Sequence, residues 1–346
     1  MQSWCYYQLA GISASRIFTD RRCPVQALAT RLEYFVDTRI NSSHPVSISN
    51  RSVRPQELAL RFGRADSPLL LDVRREAKFT ESPSLIAGAR RCAPEDVAGF
   101  AAAQLTSNPQ REIVVYCVFG HNVSADAVAT LRAAGLNASR LAGGIEGGED
   151  GIDTPQDIAD WRANRPLTVA KCADLGVTGE QPSLWVTRTR PKIDRIACPW
   201  LIHRFIDPRA EFFYVPTARV FDEAKRLHAV AYDIPGAPIS HVGERCSFDA
   251  LLAAFEIQDP ALNRLASIVR GADTDRLDLA AESAGLLALS LGLSRLHTDD
   301  HTMLNAALPM YDALYAWCQS EEAADTKGRP AETHNWQPET LVKAAQ

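Results

Sequence analysis

The sequence has no closely spaced cysteine pairs. Its eight cysteines, at positions 5, 23, 92, 117, 172, 198, 246 and 318, form no CxxC motif and follow no regular spacing. A disulfide framework and a standard zinc finger both depend on such spacing, so the pattern indicates neither. We therefore predict reduced thiols of the kind that cytosolic proteins carry.

The sequence also lacks a long apolar run. Its N-terminal stretch "MQSWCYYQLAGISASRIF" has neither a basic region nor a continuous apolar segment, so we do not predict a signal peptide. The most apolar window, Ala280–Leu293, is shorter than the roughly 20 residues that a membrane-spanning helix needs. We expect a cytoplasmic protein with no membrane partner.

A strong charge of either sign is missing as well. The chain has 37 Lys and Arg against 42 Asp and Glu, a formal net charge of -5 at pH 7. Because general nucleic-acid binders are basic, we expect no nucleic-acid partner. The glycines at 143, 144, 147 and 148 are not followed by Lys-Ser or Lys-Thr, which excludes a Walker A phosphate loop. Nothing in the sequence indicates the oligomeric state.

The chain does contain two patterned segments. Its 346 residues suggest about two domains, and 46% of them are apolar, enough for ordinary hydrophobic cores. We predict a first domain over 51–167 and a second over 184–320, joined by a linker at 168–183. Residues 1–50 are predicted to be a poorly ordered extension and residues 321–346 a disordered tail.

The first segment alternates strands with helices. Apolar runs such as "PLLLDVR" (68–74) and "IVVYC" (113–117) have the composition of strands buried in a parallel sheet. Helical patterns over 93–105 and 124–135 follow them, so βαβ units and an α/β fold are predicted. Cys117 then stands at the carboxyl end of a core strand, where open α/β sheets usually place their chemistry.

These elements, with "IAGAR", "LAGGIEGG" and "DWRANRPL" in the same order, resemble the rhodanese family of sulfurtransferases over roughly residues 52–167. The resemblance implies a parallel sheet flanked by helices and a cysteine that takes sulfane sulfur as a persulfide and passes it to an acceptor. By position Cys117 is that nucleophile, and Asp72 and Arg74 match the family's Asp-x-Arg. The resemblance also implies that the transfer requires no cofactor.

The loop after Cys117 is suited to binding an anion. Gly120 lets the chain turn with its amides facing inward, His121 offers a proton or a positive charge, and Ser124 is placed to cap the next helix. The predicted substrate-binding residues are Val118, Phe119, Gly120, Asn122, Val123 and Ser124.

One position of this loop departs from the family. Many rhodaneses carry an arginine where this chain has Asn122, so the resemblance does not imply thiosulfate as the donor. The loop is also one residue longer when Ser124 is aligned with the family's serine, as in related phosphatase or arsenate-reductase domains. The alternative is an idle domain in which Cys117 is only a buried thiol.

A second resemblance covers residues 184–320. Its matching stretches resemble, in the same order, the C-terminal domain of the chromate-resistance protein family, which implies a stress context and leaves the reaction open. They are "DRIACPWLIHRFIDPRAEFFYVP" (194–216), "DIPGAPISHVGERCSFDALL" (233–252), "LASIVRGADT" (265–274) and "DDHTMLNAALPMYDALYAWC" (299–318).

The secondary structure of this segment is predicted to be mainly helical (α+β). A strand over 184–190 opens it, and helix starts are predicted at Asp207-Pro208, at Ser247 and at Asp259-Pro260. Residues 281–318 are predicted to form two helices joined near "HTDDH".

Residues that commonly bind metals occur twice in this segment. His241 precedes Cys246 by five positions, and His297 and His301 share one helical face with Asp300 beside them. Such ligands suit zinc or iron, so a metal cofactor is one interpretation. In the other, the neighbouring aspartates cap a helix and the histidines are ordinary polar groups.

Two further features allow a functional and an ordinary interpretation. Pro199 suits the first position of a helix, which would make Cys198 an N-cap with a lowered thiol pKa. In the ordinary interpretation Cys198 is simply a small buried residue. The run "TRTRPKIDR" (187–195) could attract chromate, sulfate or a nucleic-acid phosphate, or could be a solvated face.

Two functional hypotheses result. The first is a chromate-resistance-associated sulfurtransferase that works through Cys117, with a small-molecule sulfur donor or oxyanion and an acceptor thiol as partners. The second is a non-catalytic oxyanion or metal sensor that regulates chromate-resistance genes, although no helix-turn-helix is evident in the sequence.

Overall fold

The computed structural model describes residues 52–328. The extension predicted over 1–50 lies outside the described residues, as does the tail beyond 328. The disordered tail was predicted to begin too early, because residues 321–327 are the last turns of a helix that ends at Lys327. Arg264, in the helix Pro260–Asp273, forms ion pairs with Glu322 and Asp325 at 2.7 and 2.6 Å. These pairs hold the last turns against that helix.

The described residues contain strands and helices that we number in chain order. The strands are β1 Ser52–Val53, β2 Leu69–Asp72, β3 Ser84–Ile86, β4 Ala89–Arg91, β5 Ile113–Tyr116, β6 Ala138–Leu141, β7 Thr168–Ala170, β8 Leu184–Arg188, β9 Glu211–Val215 and β10 Val230–Ala231. The helices are α1 Pro55–Ala59, α2 Glu76–Glu81, α3 Val97–Ser107, α4 Asn122–Ala133, α5 Pro155–Ala163, α6 Asp194–Leu201, α7 Val220–Leu227, α8 Ser247–Ala254, α9 Pro260–Asp273, α10 Ser283–Leu296 and α11 Asp300–Lys327.

A parallel sheet with the strand order β1-β6-β5-β2-β4 organises the first half of the fold. All four residues of β5 have no exposed surface, since it lies between β6 and β2 and is covered on both faces. Val114 and Tyr116 pack into one hydrophobic cluster, and Ile113 and Val115 into another. The β-branched run in the sequence is thus explained by burial from both sides. Helices flank this sheet, as the fold prediction required.

The stretch 168–183 was predicted to be a linker, but it is part of the packed structure. Its strand β7 pairs antiparallel with β3 of the first domain. Val169, Leu175 and Val177 are each less than 7% exposed and join the main hydrophobic cluster. A short 3-10 turn, Ala173–Leu175, follows β7. Residues 168–183 have a mixed composition because some of their side chains are buried in this cluster while others are exposed.

A second parallel sheet, β10-β8-β9, begins the C-terminal half, which is otherwise helical as predicted. Helix α9 starts at Pro260 behind Asp259, whose carboxylate accepts a 2.8 Å hydrogen bond from the amide of Leu262. Helix α8 starts at Ser247. The helices α10 and α11 meet at "HTDDH", where Asp299 caps α11.

The helix start predicted at Asp207-Pro208 is wrong. Asp207 instead ends a π-helical turn, Ile202–Ile206, that continues α6. Its carboxylate accepts hydrogen bonds from the amide and the hydroxyl of Ser183, at 2.7 and 2.9 Å. Asp207 therefore holds the residue that precedes β8 in place. After Asp207 a short turn leads into β9.

One hydrophobic cluster extends through both halves of the described fold. It includes Leu85 and Tyr116 from the first half and Trp200, Phe205 and Tyr315 from the second. Backbone bonds also join the halves, as between the amide of Gly88 and the carbonyl of Phe205 at 2.6 Å. Within residues 52–328, no helix combines the length and the apolar character that crossing a bilayer would require.

Candidate functional site

Cys117 lies where a central strand of the first sheet ends. It follows β5 directly, and its side chain is 5% exposed. Its Sγ lies 3.3 Å from Oγ of Ser124, which is buried in the first turn of α4. That hydroxyl donates a 2.9 Å hydrogen bond to the carbonyl of His121, so it is oriented to accept from the thiol. Ser124 thus contacts the thiol, and the predicted capping role is wrong: His121 occupies the N-cap position.

The backbone of the following loop offers a row of hydrogen-bond donors. Among the described residues, the N–H groups from Val118 to Ser124 have no protein acceptor. Those of Asn122, Val123 and Ser124 begin α4, where the helix dipole favours negative charge. Consecutive free amides before a helix form a common anion-binding arrangement. The loop is therefore able to bind an anionic group beside Cys117.

Two glycines let this loop and the "LAGGIEGG" segment approach each other closely. Gly120 has φ +79°, and a Cβ there would lie 2.6 Å from the carbonyl oxygen of Leu141. Gly144 has φ +56°, and its Cβ would lie 2.4 Å from the carbonyl oxygens of Cys117 and Val118. No side chain fits at either position. The backbone of the glycine-rich segment thus packs directly against the backbone of the cysteine loop.

A cavity of about 260 Å³ opens above Cys117. Four of the predicted substrate-binding residues line it, namely Val118, Phe119, Asn122 and Val123, and His121 lines it too. Gly120 and Ser124 are not among its lining residues. The remaining walls carry the charged side chains of Arg74, Arg75, Lys78 and Glu149. The cavity can therefore hold a small anionic molecule against the thiol.

Asp72 and Arg74 form a buried ion pair beside this cavity. Their side chains are 0% and 1% exposed, and Arg74 Nη2 lies 2.6 Å from Asp72 Oδ2. The hydroxyl of Tyr116 donates a 3.0 Å hydrogen bond to the same oxygen. Burial alone would lower the pKa of Arg74, but the hydrogen bonds and charge of Asp72 raise it. Asp72 thus fixes the position of the guanidinium at the cavity wall and balances its charge, so the pair has a structural role beside the site.

His121 lies between two cavities. It lines the cavity above Cys117 and a second one of about 270 Å³ on the other side of the loop, next to Trp161. Its Nε2 lies 2.8 Å from Oδ2 of Asp153, and both side chains are 24% exposed. The geometry of this contact is not that of a hydrogen bond, since Nε2 has no hydrogen-bond partner among the described residues. His121 therefore lines the cavity above Cys117 without a hydrogen bond to the thiol.

A second group of polar side chains gathers in the C-terminal half. Nε2 of His241 lies 3.1 Å from Asp273 Oδ2, 3.3 Å from Asp233 Oδ1 and 3.6 Å from Asp194 Oδ2. Asp194 is fully buried, and its carboxylate accepts hydrogen bonds from the amides of Ser247 and Phe248 at the start of α8.

The groups of this cluster hold protons strongly. A hydrogen bond to Asp194 is the largest cause that raises the pKa of His241 to about 9; burial opposes it, and the nearby carboxylate charges add to it. Burial, followed by the charges of Asp194 and Asp233, raises the pKa of Asp273 to about 7. Protons therefore partly compensate the negative charge that is concentrated here.

Two family models match the chain. The rhodanese-like domain matches residues 54–150, and the C-terminal domain of ChrB matches residues 185–318. The chain joins a rhodanese-like domain to a ChrB C-terminal domain. Both resemblances seen in the sequence are thereby confirmed. Protein ChrB of Cupriavidus metallidurans is 34% identical over 139 residues, which are 40% of this chain and 41% of that protein. The match thus spans less than half of the relative's length.

Several solved structures resemble part of the chain. A rhodanese homologue from Thermus thermophilus is 30% identical, with a TM-score of 0.22, and the match covers 28% of this chain and 98% of that one. The Alr3790 protein from Anabaena is 28% identical, with a TM-score of 0.26 and coverage of 34% and 78%. The As-Sb reductase of Leishmania major is 17% identical, with a TM-score of 0.27 and coverage of 35% and 86%.

The predicted metal ligands of the ChrB C-terminal domain do not come together. Cys246 is fully buried and contacts Asp249. The carboxylate of Asp300 accepts from the backbone of Arg190, whose guanidinium also donates to the carbonyl of His297. The ring of His301 packs edge-on against Tyr214, 5.4 Å between centroids. Of the five predicted ligands, only His241 belongs to the group that it forms with Asp194 and Asp273 in the described residues.

The sequence analysis missed Asp194, Asp233 and Asp273. They are far apart in the chain, and only the tertiary fold of the ChrB C-terminal domain brings them to His241. No local signal singled them out, since Asp194 and Asp273 stand in mixed stretches, "KIDRIA" and "SIVRGAD", where a basic residue close by would be expected to balance the acid.

Cys198 is not an N-cap. Helix α6 begins at Asp194, so Pro199 is in its interior and Cys198 is fully buried. Burial, reinforced by the charge of Asp194, raises the thiol pKa well above its ordinary value, opposite to the predicted lowering. The carbonyl of Arg195, which would accept from residue 199 in a regular helix, accepts from the hydroxyl of Tyr232 at 3.3 Å.

Most of the basic run is engaged within the ChrB C-terminal domain. Arg188 and Arg195 both pair with Asp233, at 3.0 and 3.2 Å. Arg190 donates to the carbonyls of His297 and Ser294. Three of its cations therefore have structural partners, and a purely solvated face does not describe the run.

Proposed function

We propose that the rhodanese-like domain transfers sulfur through a persulfide on Cys117, in a ChrB-like protein that acts under chromate or sulfur-oxyanion stress. The observation that carries the proposal is the placement of Cys117 below a cavity of about 260 Å³, beside a loop whose amides have no acceptor among the described residues. A thiol that was only part of the core would not need a cavity and free donors around it.

The first step forms a sulfur–sulfur bond. The Cys117 thiolate attacks the sulfane sulfur of a donor, the donor's bond to that sulfur breaks, and the bonding electron pair leaves with the remainder of the donor. The loop amides and the start of α4 stabilise the negative charge on the terminal sulfur of the persulfide. The exposed side chain of Arg75 at the cavity wall attracts an anionic donor, whereas the charge of Arg74 is balanced by Asp72.

The second step passes the sulfur to an acceptor thiolate, which attacks the terminal sulfur and releases Cys117. We infer that this acceptor is an external thiol. Cys198 and Cys246 of the ChrB C-terminal domain are fully buried, and burial is the first cause that raises the pKa of both thiols. Neither is suited to accept sulfur directly.

The cavity favours a broad class of small anionic sulfur donors. Arg75 and Lys78 add positive charge at its wall, while Glu149 opposes it. Asn122 provides an amide where many rhodaneses have a cation, so the cavity is less selective for a doubly charged donor than an arginine would make it. Polysulfide and mercaptopyruvate are therefore donors to test beside thiosulfate.

Sulfide release tests the proposal. We expect the protein, given polysulfide and an excess of a small thiol, to release sulfide catalytically, and C117S to lose this activity. C92S is the matched control, because Cys92 is another buried cysteine of the same domain whose pKa is raised to about 11, mainly by burial. Equal rates for C117S and the wild type would exclude the mechanism.

A regulatory role is the second candidate function. The cluster of three aspartates around His241 supports a regulator that senses a metal. The oxyanion form has less support, because Arg188 and Arg195 already pair with Asp233. A DNA-binding assay with and without chromate or a divalent metal distinguishes these possibilities. A change that depends on the metal favours the sensor, and no change with either ligand removes it.

A further inference from the structure

The cluster around His241 draws side chains from four separate places in the ChrB C-terminal domain. Asp194 is the first residue of α6 and Asp273 the last residue of α9. Asp233 follows β10, and His241 lies in the loop before α8. The three carboxylates approach one nitrogen, His241 Nε2, from different directions at 3.1 to 3.6 Å. Four side chains that can bind a metal are thus gathered in one place from distant parts of the chain.

The charges of the cluster are unequally compensated. Asp233 pairs with two arginines and accepts a 3.0 Å hydrogen bond from the hydroxyl of Ser247. Among the described residues, Asp194 and Asp273 have His241 as their ion-pair partner. Two carboxylates, one of them fully buried, thus share at most one positive charge. A divalent cation with a neutral imidazole would balance them completely.

The distances agree with a coordination shell. Metal–nitrogen and metal–oxygen bonds of about 2.1 Å place neighbouring ligand atoms about 3.0 Å apart in an octahedron and about 3.4 Å apart in a tetrahedron. The distances from His241 Nε2 to the carboxylate oxygens, 3.1 to 3.6 Å, lie close to this range. One ligand atom from each of Asp194, His241 and Asp273 lies within 4.8 Å of the others. Only small movements are needed to enclose an ion.

The surroundings would hold these ligands in place. The carboxylate of Asp194 is fixed by the amides of Ser247 and Phe248, at 2.6 and 3.0 Å, and by the thiol of Cys198 at 3.4 Å. Partners of this kind orient metal ligands in known sites. The His241 side chain is 39% exposed, which gives an ion access from solvent.

We propose that Asp194, His241 and Asp273 bind a divalent first-row transition cation, with Asp233 adjacent as a fourth oxygen donor. The imidazole favours Zn²⁺, Mn²⁺ or Fe²⁺ over Mg²⁺ and Ca²⁺, which prefer oxygen ligands alone. The site uses none of the residues assigned to sulfur transfer, so it goes beyond that function and does not depend on it.

Calorimetric titration of the full chain with Zn²⁺ and Mn²⁺, after treatment with a chelator, tests the site. We expect about one ion per chain, and a loss of affinity of at least roughly tenfold in both H241A and D273N. H297A is the matched control, because His297 belongs to the same domain but lies outside the cluster, and it should bind like the wild type. Excess Mg²⁺ should not displace the ion. Circular dichroism shows whether each variant is folded.

Absence of binding to the wild type would overturn the site, as would binding that survives either H241A or D273N in a folded protein. Loss of binding in both variants, with H297A unaffected, supports it. C117S should bind the metal normally, so failure of the metal site and failure of the sulfur-transfer mechanism are separately visible.

Discussion

Gly144 determines how closely the glycine-rich segment approaches the cysteine loop. Its carbonyl accepts a 3.2 Å hydrogen bond from the indole of Trp161, and its Cα faces the carbonyls of Cys117 and Val118. The amides of Ile145 and Glu146 donate to those same two carbonyls, at 3.1 and 2.9 Å. The conformation of the loop around the thiol thus depends on the absence of one methyl group.

G144A should therefore lose stability and sulfur transfer together. A Cβ at 2.4 Å from two backbone oxygens, in a conformation with φ +56°, should cost about 2 kcal/mol or more of unfolding free energy. Urea unfolding and sulfide release measure the two effects. G99A is the control, since a Cβ at that helical position would meet no atom within 4 Å beyond its own helix, and it should change stability by less than about 1 kcal/mol. Wild-type behaviour of G144A would contradict the close approach.

His203 should make the stability depend on pH. Burial, followed by the charge of Arg204, lowers its pKa from the ordinary 6.5 to about 4. Because the folded pKa is below the unfolded one, the stabilisation is fully present above pH 6.5 and is lost as the pH falls toward 4. Between pH 7 and pH 5 the wild type should lose about 2 kcal/mol more than H203Q.

Urea unfolding at the two pH values measures this difference. H228N is the control, because His228 is exposed at the end of α7, and it should keep the wild-type pH dependence. An unchanged pH dependence in H203Q would show that His203 is not the group responsible.

Secondary structure was predictable where one local pattern decided it. β5 was recognisable because burial on both faces selects β-branched and aromatic residues, and α9 because Asp259-Pro260 is a strong helix start. The motifs "ACPW" and Asp207-Pro208 misled for the opposite reason. Helix α6 begins at Asp194, whose carboxylate bonds to the start of α8, and Asp207 bonds to Ser183. Both acids therefore have distant partners that the local motif does not reveal.

One carboxylate of α11 bonds to α6 and to the π-helical turn that continues it. Asp312 accepts hydrogen bonds from the indole of Trp200 at 2.8 Å and from Arg204 at 2.8 and 3.0 Å. D312A leaves both donors without this partner and should destabilise the protein by about 2 to 4 kcal/mol. D325A, in the same helix, removes a pair whose acid is 67% exposed and should cost less than about 1 kcal/mol. Equal losses in chemical denaturation would contradict the assigned role.

The two domains fold around a shared core, which the sequence did not reveal. The fold classes could be predicted from strand and helix order, and Cys117 from its place after β5. The pairing of β3 with β7 and the assembly of the Asp-His cluster could not, because both depend on residues far apart in the chain. Spacing within a motif carries no information about such contacts.

Because the core is shared, a cavity in it should weaken both domains. Leu85 is fully buried in β3 at the junction, and L85A should destabilise the chain by about 2 to 5 kcal/mol. Hydrogen exchange should accelerate in β5 and in α9 alike. L60A is the control, as Leu60 is 77% exposed and should have an effect within about 0.5 kcal/mol. Faster exchange confined to the rhodanese-like domain would indicate two independent units.

Locating the transferred sulfur by peptide mass spectrometry tests the role of Cys117 most directly. The full chain is treated in turn with polysulfide, thiosulfate and mercaptopyruvate, and its peptides are then compared with those of C117S. We predict one additional sulfur atom on the peptide that contains Cys117 for at least one donor, and none on the matching peptide of C117S. Sulfur found only on other cysteines, or on none with any donor, would contradict persulfide chemistry at Cys117.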